Sequence, residues 1–344
     1  MSEDVMQQAL AWRAAGKGVG IATVIATWGS SPRPVGSQLA VNEAGAMTGS
    51  VSGGCVEGAV VEQAQLAIAD KKPRLLDFGI SNEQAWEVGL ACGGKLQVYV
   101  ERVGREKAAL FDRLLADRAA GRPAALVTDL GDGAQGIVHP DQAAGSLALS
   151  SQALDAVRVA LGRDRGGVIE VAGKRLFVQV VNPPLRLVLV GAVHIAQTLA
   201  PMAALAGYSV TVVDPRRSFA TDARFPGVTL VAEWPDEAMT ALKLDGRSAV
   251  VTLTHDPKLD DPALRVALRS PAFYIGCLGS KKTHAGRLQR LTEAGFGEAD
   301  LARLHGPVGL DIGALTPAEI SVSIVAEITA VLHAPGGEKT TAAA

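Results

Sequence analysis

The stretch LVLVGAVHIAQTLA, residues 187–200, decides the fold of the second half of the chain. It begins with a run of Leu and Val, turns at Gly191, and continues with apolar residues at helical spacing. An aliphatic run that ends in glycine is typical of a buried strand, and the spacing after it predicts a helix. The stretch therefore predicts a strand, a tight turn and a helix.

The same alternation continues along the rest of this half. Strand-like runs occur at residues 185–190, 209–213, 228–231, 248–253 and 272–275. Helical patterns separate them, which predicts a parallel sheet with helices on both faces. We therefore expect an α/β chain with a C-terminal Rossmann-like parallel-sheet domain over residues 185–333 and a disordered tail over residues 334–344.

The turn at Gly191 carries part of a dinucleotide-binding fingerprint. Gly191 and Ala196 take the first and third positions of the pattern G-x-G-x-x-G/A, and Asp214 follows at about the 20-residue spacing of the ribose-binding acid. The second position is Val193, whose branched side chain would crowd a pyrophosphate and resist a positive φ. NAD(P) binding is therefore doubtful, and a scaffold in which Asp214 only caps the strand end is the alternative.

Polar residues follow another strand of this half in THDPKLDDPAL, residues 254–264. The candidate ligands there are His255, Asp256, Asp260 and Asp261. A metal site and a strand-end turn followed by a capped helix both fit this pattern, and the second is favoured. Cys277, at the end of a buried strand, is expected to be a small buried hydrophobic residue.

A stiff Asn-Pro-Pro linker at residues 182–184 separates this domain from the first half. The first half mixes short strands and helices with no βαβ series. It is divided into a cysteine-glycine loop domain over residues 1–102 and a connecting α/β segment over residues 103–184 that completes the N-terminal unit. A helix is predicted over residues 55–69 from the spacing of its apolar residues.

Two cysteine-glycine loops stand out in this first half. In GSVSGGCVEG, Ser52 is a candidate N-cap, and Cys55 would lie in the first helical turn, where the dipole favours thiolate. The free amides of Gly53, Gly54 and Cys55 would form an anion-binding concavity, with Glu57 close enough to act as acid or base. Cys92 repeats the theme before Gly93 and Gly94. Such loops suit a phosphorylated, sulfur-ligated metal cofactor such as molybdenum with its pterin, or else hold two small buried cysteines beside turn glycines.

Composition excludes several classes of protein. The net charge is −2 and only 4% of residues are aromatic, so a nucleic-acid partner has no electrostatic or stacking support. Three cysteines without a CxxC pair do not make a disulfide framework, and the N-terminus has no signal pattern, so a cytoplasmic protein is expected. Residues 187–207 have the length of a membrane span but contain polar residues and proline, so no membrane partner is expected.

Several long blocks, in order, resemble the XdhC/CoxI family of molybdenum-hydroxylase accessory proteins. They are GSSPRPVGSQLAV, GSVSGGCVEGAVVEQA, ACGGKLQVYVE, VVDPRRSFATDARFP, LTHDPKLDDPAL, YIGCLGSKK and GPVGLDIGALTPAEI. The resemblance covers nearly the whole chain. It implies a chaperone that binds and shields molybdenum cofactor (molybdopterin), supports its sulfuration by a cysteine desulfurase, and delivers it to an apo molybdenum hydroxylase such as xanthine dehydrogenase.

The resemblance also implies which residues form the cofactor site. They are Arg33, Ser52, Gly53, Gly54, Cys55, Glu57, Cys92, Gly93 and Gly94, with Cys55 and Cys92 nearest the metal. In the second domain the candidate positions are Gly191, His194 and Asp214, and Val193 departs from the glycine usual in the family. A homodimer is expected. The alternatives are an NAD(P)-dependent oxidoreductase with His194 or His255 as acid–base, and a protein–protein adaptor.

Overall fold

A computed structural model describes residues 2–31, 33–79 and 94–334. The chain divides after Pro183 into two compact units. The predicted tail lies, from residue 335 onward, outside the described residues. Among the helices of the described part, none is both long and apolar enough to cross a membrane.

The first unit is built from two antiparallel sheets and the helices that cover them. Its elements are α1 (Ser2–Ala14), β1 (Val19–Trp28), β2 (Gln38–Asn42), β3 (Met47–Gly49), α2 (Glu57–Asp70), β4 (Arg74–Gly79), β5 (Lys95–Arg102), α3 (Arg105–Ala119), β6 (Ala124–Asp129), β7 (Gln135–Val138), β8 (Ala143–Gly145), α4 (Ser151–Gly162), β9 (Gly167–Val171) and β10 (Lys174–Val181). The strand orders are β3-β2-β1-β5-β4 and β8-β7-β6-β10-β9.

Strand β1 lies at the centre of the first sheet and is buried on both faces. Val19 and Ile21 pack with α1 and α3, whereas Ala22 and Val24 on the other face pack with α2. This explains why the sequence of β1 is almost continuously apolar instead of alternating. The predicted helix over residues 55–69 begins two residues later, at Glu57.

The second unit is a parallel sheet between helices. Its elements are β11 (Leu185–Val190), α5 (His194–Leu205), β12 (Tyr208–Val213), β13 (Thr229–Val231), α6 (Pro235–Leu242), β14 (Ser248–Thr252), α7 (Pro257–Leu268), β15 (Tyr274–Cys277), α8 (Lys281–Glu293), α9 (Glu298–Leu301), β16 (Leu304–His305) and α10 (Pro317–His333). The order is β13-β12-β11-β14-β15-β16, and all neighbouring pairs are parallel. This is the strand order of dinucleotide-binding domains, and the Rossmann-like prediction is confirmed.

Local signals set where the helices of this unit begin. Thr316 and Glu319 form a capping box at α10, with Pro317 in the first turn. The Asp256 side chain accepts from the Lys258 amide and caps α7. In this unit the sequence motifs around Asp256 and Thr316 therefore mark the residues at which helices begin.

Gly191 has a steric role in the turn after β11. Its φ is +110°, and an added Cβ would lie 2.4 Å from Cγ2 of Thr254, at the end of the neighbouring strand. The turn after β11 therefore approaches the end of β14 too closely for any side chain at this position.

Gly191→Ala should lower the free energy of unfolding by roughly 1–3 kcal/mol, because it combines an unfavourable φ with this clash. Thr254→Ser removes Cγ2 and keeps the hydroxyl, so the double variant should recover the steric part of the loss. Urea unfolding of wild type, both single variants and the double variant measures the coupling. Strictly additive effects would show that the contact with Thr254 is not the cause.

Candidate functional site

The carboxylate of Glu57 organises the first cysteine-glycine loop. Its donors are the hydroxyls of Ser50 and Ser52 and the backbone amides of Val51, Ser52, Gly53 and Gly54. The distances from the Ser50 hydroxyl and the amides lie between 2.7 and 3.2 Å. The loop that precedes α2 is therefore wrapped around a carboxylate of the first residue in that helix.

A second acceptor, the Ser52 hydroxyl oxygen, completes the loop. It accepts from the amides of Cys55 at 3.1 Å and Val56 at 3.0 Å while its proton goes to Glu57. The predicted anion-binding concavity needs correction for this reason. The amides of Gly53, Gly54 and Cys55 are satisfied by the chain's own Glu57 and Ser52, so they are not free for a ligand.

Glu57 is a fixed negative charge in this loop. Burial alone would raise its pKa, but hydrogen bonds from the Ser52 and Ser50 hydroxyls and from backbone amides outweigh burial and lower the pKa to about 2. A carboxylate with this pKa holds no proton near neutral pH. The acid–base role considered for Glu57 is therefore replaced by a structural one.

Cys55 precedes the helix instead of lying in its first turn. The first helical residue is Glu57 and the N-cap is Val56, whose side chain makes no capping hydrogen bond. Ser52 caps the turn ahead of the helix, not the helix itself. Cys55 is partly exposed and packs against the cluster that contains Val56 and Val60. One side of the residue thus contacts the core while the residue keeps access to solvent.

The second cysteine-glycine loop is described only at its end. Cys92 and Gly93 lie outside the described residues, so their part in a site stays a prediction. Gly94 lies against the first sheet, where an added Cβ would be 2.2 Å from the Ser30 carbonyl oxygen. Within residues 2–31, 33–79 and 94–334, no cluster of His, Cys, Asp and Glu could hold a metal ion.

Arg33 lies in the connection between β1 and β2 and lines a cleft of about 570 Å³ in the first unit. Ser50, a Glu57 partner, lines the same cleft. Arg33 is a site residue expected from the sequence, whereas Ser50 was not predicted. The sequence signal that could have identified Ser50 was its position two residues before Ser52 and seven before Glu57.

The dinucleotide-type turn of the second unit is closed by the protein's own side chains. Asp214 is fully buried, and its carboxylate accepts from the Ala192 amide at 2.8 Å and from the backbone and guanidinium of Arg216 at 2.7 to 2.9 Å. Burial would raise the pKa of Asp214, but the hydrogen bonds from Arg216 and Ala192 prevail and lower it. The lone pairs of the Asp214 carboxylate, which were expected to accept from a ribose, therefore already accept hydrogen bonds from the protein.

The other residues of that turn form the start of helix α5. Val193 has a φ of −88°, so the backbone does not require glycine at this position, in keeping with a branched residue that resists a positive φ. His194 is the exposed first residue of α5. The turn therefore adopts ordinary strand–helix geometry with valine as its N-cap.

The acidic residues after β14 belong to helix capping and ion pairs. Asp256 caps α7, Asp260 accepts from the Thr254 hydroxyl at 2.6 Å, and Asp261 forms two hydrogen bonds with Arg290. The capped-helix interpretation is confirmed for this segment. Cys277 is fully buried, and burial raises the pKa of its thiol to about 12, as expected for a small core residue.

Glu57→Gln should destabilise the protein by roughly 2–3 kcal/mol, because one amide oxygen cannot replace two carboxylate oxygens and the new NH₂ faces donors. Hydrogen exchange of the Ser52, Gly53 and Gly54 amides should accelerate in the same variant. Glu62→Gln, on the exposed face of α2, is the matched control. Equal stability and exchange in the two variants would refute the anchoring role.

Acid should weaken the same anchor. The pKa of Glu57 is lowered from 4.5 to about 2, so its stabilisation is complete above pH 4.5 and is lost as the pH falls towards 2. The difference in unfolding free energy between wild type and Glu57→Gln should therefore shrink over this interval. Denaturant titrations at several pH values measure it, and a difference that stays constant or grows would contradict the assignment.

Comparison with known proteins gives matches in both units. Residues 12–79 match the XdhC and CoxI family, and residues 187–328 match the XdhC Rossmann domain. The crystal structure of a xanthine dehydrogenase from Bacillus halodurans superposes with a TM-score of 0.78 at 25% identity, covering 94% of each chain.

Three curated relatives are each 28% identical to this chain. A protein of Bacillus subtilis named as a probable xanthine dehydrogenase subunit aligns over 90% of this chain and 91% of its own length, and the molybdenum cofactor insertion chaperone PaoD of Escherichia coli over 92% and 85%. The uncharacterized protein YqeB of Escherichia coli aligns over 92% of this chain, which spans only 44% of that relative. These matches extend across both units in the order expected from the motifs, and they confirm the resemblance of the chain to the XdhC and CoxI family.

Proposed function

We propose that this protein is a maturation factor that binds molybdenum cofactor and delivers it to an apo molybdenum hydroxylase of the xanthine dehydrogenase type. The observation that carries the proposal is the similarity to a molybdenum cofactor insertion chaperone over 321 residues. The cofactor is cargo here, so the protein binds and transfers it without turnover chemistry of its own. Sulfuration by a cysteine desulfurase, a homodimer and a cytoplasmic location complete the proposal.

The loop around Glu57 supports a carrier role in physical terms. A thiol that is to meet a labile metal cofactor gains from a backbone held in one conformation before the ligand arrives. The Glu57 and Ser52 hydrogen bonds hold the residues on both sides of Cys55, while Cys55 itself remains partly exposed. Cys55, together with Cys92, is proposed to supply sulfur on the metal side of the cofactor.

The dinucleotide alternative has less support from the second unit. Binding a ribose at Asp214 would require the carboxylate to release Arg216 and the Ala192 amide, all within a buried site. An uncompensated buried carboxylate is costly, so this exchange opposes NAD(P) binding in the usual pose. The second unit is therefore proposed to be a scaffold.

At least one of the variants Cys55→Ser and Cys92→Ser should lose retention of the cofactor, because serine lacks the soft sulfur donor that molybdenum prefers. Wild type and variants are mixed anaerobically with molybdenum cofactor, and molybdenum and pterin are measured in the protein peak after gel filtration. Stoichiometric retention is expected for wild type, with at least tenfold less in one of the two variants.

Cys277→Ala is the matched control, because it removes a buried thiol with a pKa of about 12 that takes no part in the proposed site. It should retain the cofactor like wild type. Failure of wild type to retain molybdenum and pterin would overturn the proposed function. Full retention by both loop variants would exclude the cysteines as cofactor ligands.

A further inference from the structure

A cleft in the first unit, lined by both polar and apolar residues, lies beside the cysteine loop and does not depend on the amides of that loop. Its walls come from the connection before β2, from β3 and its end, from β10 and from the turn before β9. The polar lining residues are Arg33, Ser37, Gln38, Thr48, Ser50, Asp164 and Gln179. The cleft measures about 570 Å³, which is within the size range of small-molecule sites.

Gln38 is a buried residue of the cleft lining whose side-chain oxygen has no partner among the described residues. Only 3% of the residue is exposed, and its amide nitrogen donates to the Thr23 hydroxyl at 3.2 Å and to the Gln179 side-chain oxygen at 3.0 Å. These bonds engage both hydrogens of the amide and fix its orientation. The remaining oxygen, Oε1, accepts no hydrogen bond from any residue in the ranges that the structure describes. A buried acceptor of this kind indicates a ligand that donates an N–H or O–H.

Arg33 adds a cation to the same cleft. Its Nε is buried and has no hydrogen-bond partner within the described part of the chain. The hydroxyl-bearing residues Thr48 and Ser50 line the cleft as well. A guanidinium with hydroxyls nearby is suited to a phosphate, which guanidinium groups bind through parallel hydrogen bonds.

We infer that this cleft binds the phosphorylated pterin portion of the cofactor. The amine and ring N–H of the aminopyrimidinone edge donate to Gln38 Oε1, and Arg33 binds the phosphate. The inference rests on the proposed function, and it extends that function from the metal side of the cofactor to its organic side. Ser50 connects the two sites, since it lines the cleft and also donates to Glu57. A guanine nucleotide carries the same aminopyrimidinone edge and also a phosphate. The test must therefore distinguish a phosphopterin from a guanine nucleotide.

Binding can be measured with a stable probe, the fluorescent phosphopterin that forms when molybdenum cofactor is oxidised in air. Fluorescence anisotropy gives Kd values for the phosphopterin, for the same pterin after phosphatase treatment and, by competition, for GMP. The full-length protein is used, and thermal melting verifies that each variant is folded. Wild type should bind the phosphopterin at least tenfold more tightly than GMP.

Two variants and a matched control locate the probe. Arg33→Gln should weaken phosphopterin at least tenfold and leave the dephosphorylated pterin unchanged. Thr48→Tyr fills the cleft and should weaken both ligands at least tenfold, whereas Met47→Tyr, at an exposed neighbouring position of β3 outside the cleft lining, should weaken neither. The dephosphorylated lumazine analogue has oxygen in place of the pterin amine. It should bind wild type more weakly than the dephosphorylated pterin, because its oxygen would repel Gln38 Oε1 instead of donating a hydrogen bond to it.

The outcomes separate this inference from the proposed function. Equal binding by wild type, Thr48→Tyr and Met47→Tyr would overturn the cleft as the pterin site, and tighter binding of GMP would overturn the choice of pterin. Absence of phosphopterin binding in a wild-type protein that retains intact cofactor anaerobically would overturn the cleft alone. Loss of intact-cofactor retention in wild type would overturn the function itself.

Discussion

The conformation of the cysteine loop depends on one carboxylate. Glu57 gathers hydroxyl and amide donors from residues 50–54, and Ser52 passes the same network on to Cys55 and Val56. Two glycines in the loop take positive φ values, which lets consecutive amides turn toward a single acceptor. The stretch SVSGGCVE, residues 50–57, is therefore a complete unit in which glutamate supplies the anion and the glycines supply the geometry. Cys55 is positioned as a consequence.

The second unit shows the same principle at its nucleotide-type turn. Asp214 has the place and spacing of a ribose-binding acid, yet its carboxylate binds Arg216 and the Ala192 amide. The fold is retained because β11, Gly191 and α5 still need a tight turn beside Thr254. The ligand-binding groups are instead engaged by the chain itself. Fold and ligand site are thus separate properties of one motif.

Local patterns predicted the parts of the structure that are determined locally. The run around Gly191 predicted its strand, turn and helix, and Thr316 with Glu319 predicted the start of α10. Contacts between distant residues could not be read in this way. Gln38 and Gln179 are 141 positions apart and meet only because β2 and β10 come together in the folded unit. Likewise, the stretch SVSGGCVE, residues 50–57, contained both the donors and the acceptor, but spacing alone did not show that they bind each other.

Satisfaction of the loop amides has a consequence for how a phosphorylated cofactor is held. An anion at Gly53 and Gly54 would have to displace Glu57, a permanently ionised group with a pKa of about 2, and would leave that charge unpaired. In the proposed function, the phosphate of the cofactor therefore needs a cation outside this loop. Arg33 is the cation proposed for this role, because its buried Nε has no partner among the described residues and it lines the same cleft as Ser50. In the proposed function, the loop positions the sulfur of Cys55 and the cleft binds the organic part of the cofactor.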